Sequence, residues 1–408
     1  MKGERVLVLD SQGQNSLALS RLLGRKGVSV TAGAYRRFMP GMLSKYTDGA
    51  YVHPNPAADQ RAFVDHLYRH LEANDYAAVF TTTDLGTTLL SRYKARLEET
   101  GTAVGAEDWD RFQTANDKGH LFELAADLDV PCPETHAPTS VDEVAALDED
   151  RTYTAVVKPR RTTVLDEDGT CLTSRISGSN YVSPDEDLVE RYRAIRDASP
   201  AFETIPPLVQ AFVDGLETKC TVGLADEGEL LAFFQHKKYR VYPLSGGVGA
   251  VRQGTWEPRM LDYTRRVVEA LEWTGPVMVE FMETADGDFV LLEVNGRYWG
   301  SLALTINSGV EIPWLHYHQL IGAPLAPRAP GYRTDVKQRK LFYQDLLWLR
   351  AKLERGEYGA LLPFLGSFFT TREELLDPSD PLPSLGIVPR TVQTVVDARN
   401  GRSVYDQA

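Results

Sequence analysis

VMVEFMETADGDFVLLEVNGRYWGS, residues 277–301, decides how this chain is read. Two apolar runs, PVMVEFMET and DFVLLEVNG, flank an Asp286-Gly287 turn and predict an antiparallel strand pair. Side chains alternate along a strand, so Glu293 and Asn295 share one face and Glu280 can meet them from the facing strand. Like charges on paired strands repel unless a cation sits between them. The alternative is an acidic solvent face, but Leu291, Leu292 and Val294 around these residues are apolar. Three oxygen donors suit Mg²⁺ or Mn²⁺: a hard ion of this kind takes one or two carboxylates together with substrate phosphates and water. Arg297, two residues beyond Asn295, is a fixed cation able to reach the same phosphates.

Upstream of that pair, TKCTVGLA and ELLAFFQHKK predict a hairpin about Asp226-Glu227-Gly228. Before it come a strand PLVQAFV, an exposed helix near Asp185 to Arg196, and a strand TAVVKP from Thr154 to Pro159. The polar stretch after TAVVKP, with Gly169, Gly178 and Ser179, reads as a mobile phosphate-covering loop lengthened by RRTTVLDEDGTCLTSR. TANDKGHLFELAADLDV, from Thr114, predicts a helix capped by Asn116 or Asp117 that stops before Pro131, and PCPETHAP a proline-rich turn.

Near the N-terminus, RVLVLD, a polar loop SQGQNS and a helical stretch from Leu17 to Lys26 form a βα start. The strand VSVTAGA, a helix around Phe63 to Leu71 and a strand from Ala78 to Thr82 continue the alternation of a parallel sheet, which ends near Trp109. The first turn, Asp10-Ser11-Gln12-Gly13-Gln14, lacks GxGxxG spacing and gives no support to dinucleotide binding. The last 80 or so residues read as helical, and there is no internal repeat.

Composition narrows the function classes. The chain is 43% hydrophobic, yet no apolar run approaches the ~20 residues that a membrane span needs. VLVL is too short for the apolar core of a signal peptide. Three widely spaced cysteines with no CxxC pair argue against a disulfide framework and against zinc, and a reducing, cytoplasmic location follows as the expectation. A net charge of -13 without Lys/Arg clusters excludes a nucleic-acid footprint. Lysines number 12 against 32 arginines, so each well-placed lysine is informative.

With these motifs the chain resembles the ATP-grasp superfamily over about residues 5–320, and within it the carboxylate-amine ligase branch related to the carbamoyl-phosphate-synthase type ATP-binding fold. The resemblance implies an α/β (α+β) architecture. It consists of an N-terminal parallel-sheet lobe over 1–110, two α+β lobes clasping ATP over 111–205 and 206–325, and a helical C-terminal extension over 326–408. Lys118 in NDKGHLF and Lys158 in VVKP then look like the two nucleotide-phosphate lysines. QAFVDG, with Gln210, Phe212 and Val213, looks like the hinge that frames adenine, although Gln210 stands where an acidic residue is usual. Glu217 looks like the ribose carboxylate, and Glu280, Glu293 and Asn295 like the magnesium ligands. The implied cofactors are ATP and Mg²⁺, with a small carboxylate and an amine as partners and a homodimer as the expected assembly.

Taken by itself Lys118 could be a solvated surface charge. Lys158 closes an apolar strand, where a merely solvated lysine is less expected. In QHKKYRVYPLSGGVGAVRQ, His236, Lys238, Arg240 and Arg252 surround a Gly246-Gly247 pair. Arg240 is expected, with Arg297, to act on the transferred phosphoryl group, and Arg252 to hold a substrate carboxylate; a basic hairpin edge is the alternative. Asp10, Gln12 and Asn15 leave the first strand and Asp84 a later one, at the edge where open α/β sheets bind ligands. Helix capping explains Asp84 equally well. His316 and His318, at i and i+2, point apart on a helix, and YGALLPFLGSFF is expected to dock on the protein's own core.

The expected function is therefore ligation of a carboxylate to an amine through an acyl phosphate, with a phosphotransferase or a non-catalytic nucleotide sensor as alternatives.

Overall fold

Short β-branched runs alternating with amphipathic helices fold as a parallel sheet in the computed structural model, which describes residues 4–165, 171–173, 180–198, 201–244, 247–325, 331–388 and 391. Gly169, Gly178, Ser179 and Gly246 lie outside the described residues. The first lobe runs β1 (Arg5–Val8), α1 (Gln14–Arg25), β2 (Ser29–Ala34), β3 (Gly49–Val52), α2 (Gln60–Glu72), β4 (Ala78–Phe80), α3 (Asp84–Arg92), α4 (Lys94–Glu98) and β5 (Ala103–Val104). The sheet order is β3-β2-β1-β4-β5, all parallel. β3 was not legible: GAYV is four residues long with a glycine at its start.

Next come α5 (Trp109–Asn116), α6 (Lys118–Asp127), β6 (Thr135–His136), α7 (Val141–Glu149), β7 (Ala155–Lys158), the pair β8 (Thr163–Leu165) and β9 (Cys171–Thr173), β10 (Tyr181–Val182), α8 (Leu188–Asp197), α9 (Ala201–Thr204) and β11 (Leu208–Ala211). The helix expected after Asn116 or Asp117 is α6, while Thr114 to Asn116 close α5. Asp117 ends α5 and caps α6, its carboxylate accepting from Gly119 N at 3.0 Å and His120 N at 3.4 Å. Strands β10-β7-β11-β6 form a small antiparallel sheet, in which the supposed turn PCPETHAP supplies β6.

The remaining chain builds one large sheet. β12 (Glu217–Asp226) and β13 (Glu229–Tyr242) form the expected hairpin, with Glu227 and Gly228 both at positive φ. They are followed by β14 (Val248–Gly254), α10 (Pro258–Ala270), β15 (Gly275–Glu283), β16 (Phe289–Asn295), α11 (Leu302–Asn307), α12 (Ile312–Leu320), β17 (Lys337–Arg339), α13 (Leu346–Glu354), α14 (Leu361–Thr370) and β18 (Arg372–Glu373). The order is β16-β15-β12-β13-β14-β17-β18. One core joins Cys220, Val222 and Phe234 of this sheet to Trp299, Leu302 and the α1 residues Leu19 and Leu23. A second joins Val279, Phe281 and Leu291 to α10 and to Leu121 and Phe122 of α6.

Two expectations for the C-terminal region change. It is mostly helical, but β17 and β18 extend the large sheet; KQR and RE are too short and too charged to read as strands. Within YGALLPFLGSFF only Phe364 and Ser367 are buried, while Leu362 is 78% and Phe369 92% exposed.

Candidate active site

Strand β16 turns its carboxylate into the cleft by means of a bulge. Glu280 pairs with Glu293 across β15 and β16, but Phe281 pairs with Leu291, so Leu292 is the extra residue. In an unbroken strand Leu291 and Glu293 would share a face. The bulge lets Leu291 enter the second core beside Phe281 while Glu293 faces the opposite way.

Cations converge on this pair. Lys118, at the first position of α6, stands 3.6 Å from Glu293. It is set there because its backbone N donates to Arg160 O at 3.1 Å and because Asp117 is held by Arg160 and Arg161 at 2.9 and 3.2 Å. Burial would raise the Asp117 pKa, but the two guanidiniums hold it below the usual range. Asn295 Nδ2 donates to Glu293 at 2.9 Å, and Arg297 Nη2 to Asn295 Oδ1 at 3.4 Å. Burial opposes ionisation of Glu293, yet Lys118, Asn295, Lys238 and Arg297 together hold it down to about 2. Lys158 closes β7 and is buried, with its ammonium 5.4 Å from the Phe122 ring. Desolvation and then the charge of Lys118 push it down to about 7.

Lys238 was noted among the basic residues but given no role. Its ammonium bonds Glu280 at 2.8 Å. Strand parity could have found it: Cys220 pairs with both Glu280 and His236, which puts all three on one face with Lys238 two residues along.

Arg297 reaches the first lobe, its Nε donating to the carboxylate of Asp84 at the start of α3. Asp84 is thus part of the cluster. Asp10 is not, for its Oδ2 accepts from Thr81 Oγ1, Thr82 N and Thr83 N at 2.6, 2.9 and 3.2 Å and locks β1 to β4. Asn15 donates to Thr82 O at 3.1 Å, and Gln12 is buried in the same loop.

Arg240 is corrected. The expectation placed it beside the transferred phosphoryl group, but its guanidinium meets Asp345 at 3.0 Å and Pro363 O at 2.9 Å and lies 4.5 Å from the Trp348 ring centre, in the C-terminal region. Arg252 stays near the cluster, opposite Lys238, but bonds Gly300 O at 3.2 Å and Glu374 at 3.5 Å. His316 is buried on the Tyr298 hydroxyl, and His318 packs against Trp314.

The hinge residues lie where β11 leaves the small sheet. Gln210 donates to Thr135 Oγ1 at 2.7 Å, Phe212 is half exposed with its edge to Tyr181, and Val213 is half-buried. Glu217, opening β12, pairs with Lys237 at 3.3 Å.

Solved structures share this fold. A biotin carboxylase from Campylobacter jejuni in complex with βγ-ATP superposes with a TM-score of 0.65 at 12% identity, covering 81% of this chain and 74% of that one. An L-amino acid ligase from Bacillus licheniformis gives 0.59 at 14%, covering 83% and 79%. The biotin carboxylase domain dimer of Hydrogenobacter thermophilus 2-oxoglutarate carboxylase, with MgADP, ADP and bicarbonate, gives 0.65 at 15%, covering 83% and 74%. Residues 204–341, which carry both carboxylates, match the family described as ATP-grasp in the biosynthetic pathway with Ter operon. The chain has the ATP-grasp fold.

In this fold no group of three or more His, Cys, Asp or Glu side chains among the described residues could hold a metal ion. The donors at the cluster are two carboxylates and a carboxamide, a set that suits Mg²⁺ when phosphate and water complete the shell. The opposed carboxylates already draw Lys118 and Lys238, as a site built for positive charge should. Among the described residues no helix is long and apolar enough to cross a membrane.

Proposed function

We propose that this protein is an ATP-dependent ligase that joins a carboxylate to an amine through an acyl phosphate and releases ADP and phosphate. The observation that carries the reading is the convergence of Lys118, Lys238 and Arg297 on Glu280, Glu293 and Asn295. The cluster has no nucleophile poised for covalent catalysis: Cys220, its thiol 3.6 Å from Glu280, is pushed by burial well above the usual thiol range. Positioning and electrostatics would then carry the rate, as phosphoryl transfer requires.

In this reading Lys118 and Lys158 bind the polyphosphate of ATP, with adenine against the segment from Gln210 to Val213 and the ribose at Glu217. Glu280, Glu293 and Asn295 would hold Mg²⁺, which when bound neutralises charge on the phosphates. Arg297, fixed by Asp84, faces the charge that develops as the substrate carboxylate attacks the γ-phosphate. Lys238 and Arg252 lie on the side from which that carboxylate would approach. An amine then displaces phosphate and loses a proton as the amide forms. The dimeric state of the Hydrogenobacter domain supports a homodimer here, and its MgADP supports the cofactor assignment.

The test is ADP release and product mass with Mg-ATP over a panel of carboxylates and amines, including the L-amino acids. Amide product, with ¹⁸O passing from the labelled acid into phosphate, is expected. A phosphorylated hydroxyl as the product, or amide formed with unlabelled phosphate, would reject this route.

A further inference from the structure

At the carboxyl edge of the N-terminal sheet, four buried atoms have no hydrogen-bond partner among the described residues: Gln12 Oε1, Gln14 Oε1, His53 Nε2 and Thr82 Oγ1. Their residues are between 2% and 8% exposed. They come from three neighbouring loops. Gln12 and Gln14 follow β1, His53 follows β3 and Thr82 follows β4. Ser11 N donates to Gly33 O at 2.9 Å and His53 N to Ala34 O at 3.1 Å, so the first two loops flank the end of β2. The bond from Asn15 Nδ2 to Thr82 O ties the third loop to the start of α1. Buried polar groups are normally satisfied, and several orphans at one sheet edge point to a ligand that supplies their partners.

The chemistry of the orphans selects that ligand. His53 Nδ1 lies 2.8 Å from Pro54 O, and because a carbonyl only accepts, Nδ1 carries the hydrogen and Nε2 a bare lone pair. Both glutamine orphans are oxygens and also accept. Asp10 adds a carboxylate charge behind them, held by Thr81, Thr82 and Thr83. Among the four orphaned atoms only the Thr82 hydroxyl can donate. A carboxylate or phosphate would find repulsion here, whereas a nitrogen bearing several N–H groups would satisfy the set. The ring of His53 is held for this by the edge of Phe63 at 4.9 Å and by Tyr51 at 5.4 Å. Burial lowers the His53 pKa, which keeps the ring neutral and accepting.

We infer that this edge binds the primary amine substrate, as ammonium or amine, through Gln12, Gln14 and His53, with Asp10 supplying the countercharge. The inference rests on the ligase reading for the word substrate, but the amine site itself is read from the orphaned acceptors. Two residues beyond Thr82, Asp84 holds Arg297, so the amine sits on the side of the first lobe that meets the carboxylate cluster.

The test uses the full chain labelled with ¹⁵N-histidine and two probes: glycinamide, an amine without a carboxylate, and N-acetylglycine, a carboxylate without an amine. Glycinamide is expected to shift the His53 ring nitrogens saturably, with the signal identified by its loss in His53→Gln. Gln12→Leu, which keeps the ring, should weaken that titration about tenfold. A shift with N-acetylglycine but not glycinamide would overturn the proposal. So would no shift with either probe up to tens of millimolar, which would leave ordered water as the partner of the orphans. Both readouts are independent of turnover. A chain that binds glycinamide here yet forms no amide with any acid would sink the ligase reading and leave the amine site standing.

Discussion

Arg297 donates its Nε hydrogen to the carboxylate of Asp84, and through that bond the loop after β16 is anchored on the first lobe. The same guanidinium touches Asn295, so the anchor and the proposed metal ligands form one chain of contacts.

Asp84→Ala should therefore act through Arg297. Asp84 is 44% exposed at its side chain, which limits the loss of stability, but Arg297 would lose the partner that fixes its aim. We expect kcat to fall about tenfold or more, with the Kd for ATP changed far less. Steady-state kinetics beside calorimetric ATP binding separates the two effects, and a kcat equal to wild type would show that the anchor is dispensable.

Glu293→Ala and Asn295→Ala should each abolish turnover and leave the circular dichroism spectrum unchanged. Glu293 is ionised at any working pH, so its removal takes away a full charge that faces Lys118. Full ADP release by either variant at saturating Mg²⁺ would count against the assignment.

Lys158 should take up a proton when ATP binds. In the free protein burial and Lys118 hold it at about 7, so at about pH 8 it is mostly neutral; a bound polyphosphate would favour its charged form and raise that value. The uptake should grow as pH rises above 7 and shrink below it. Calorimetry in two buffers of different ionisation enthalpy reads it directly. Equal binding enthalpies in both buffers would refute it, and Lys158→Met should weaken ATP binding and remove the uptake.

Arg240→Met should cost stability rather than chemistry. It removes the nearer cation from the fully buried Asp345 carboxylate, which keeps Arg339 at 3.7 Å, and a broken buried pair costs about 3 kcal/mol. Thermal unfolding should move down by several degrees, while kcat at low temperature stays near wild type. A large fall in kcat without a change in Tm would restore the catalytic role expected from sequence.

The sequence carried the pairing of β12 with β13 and of β15 with β16 because hairpin signals are local. Strand alternation placed Glu280 opposite Glu293, and an apolar strand ending in lysine marked Lys158. It misled where a long-range partner decides a role. Arg240 reads as a basic hairpin residue until Asp345, 105 positions away, closes on it. Asp10 reads as an open loop carboxylate until the three threonines that follow β4 enclose it. The bulge at Leu292 is also invisible beforehand: simple alternation would turn Leu291 to the same side as Glu293, and only the register across β15 shows otherwise.

The short strand β17 has a consequence for any attempt to trim this protein. It covers β14, pairing Val251, Arg252 and Gln253 with Arg339, Gln338 and Lys337. A chain cut after residue 325 would lose that cover and expose the amide row of β14 as a raw sheet edge, open to pairing with other copies. The cut would also remove Asp345 and Glu374, depriving Arg240 and Arg252 of their counterions. The expected product is an aggregating fragment, so the C-terminal region is a structural part of the large sheet and not a detachable appendage.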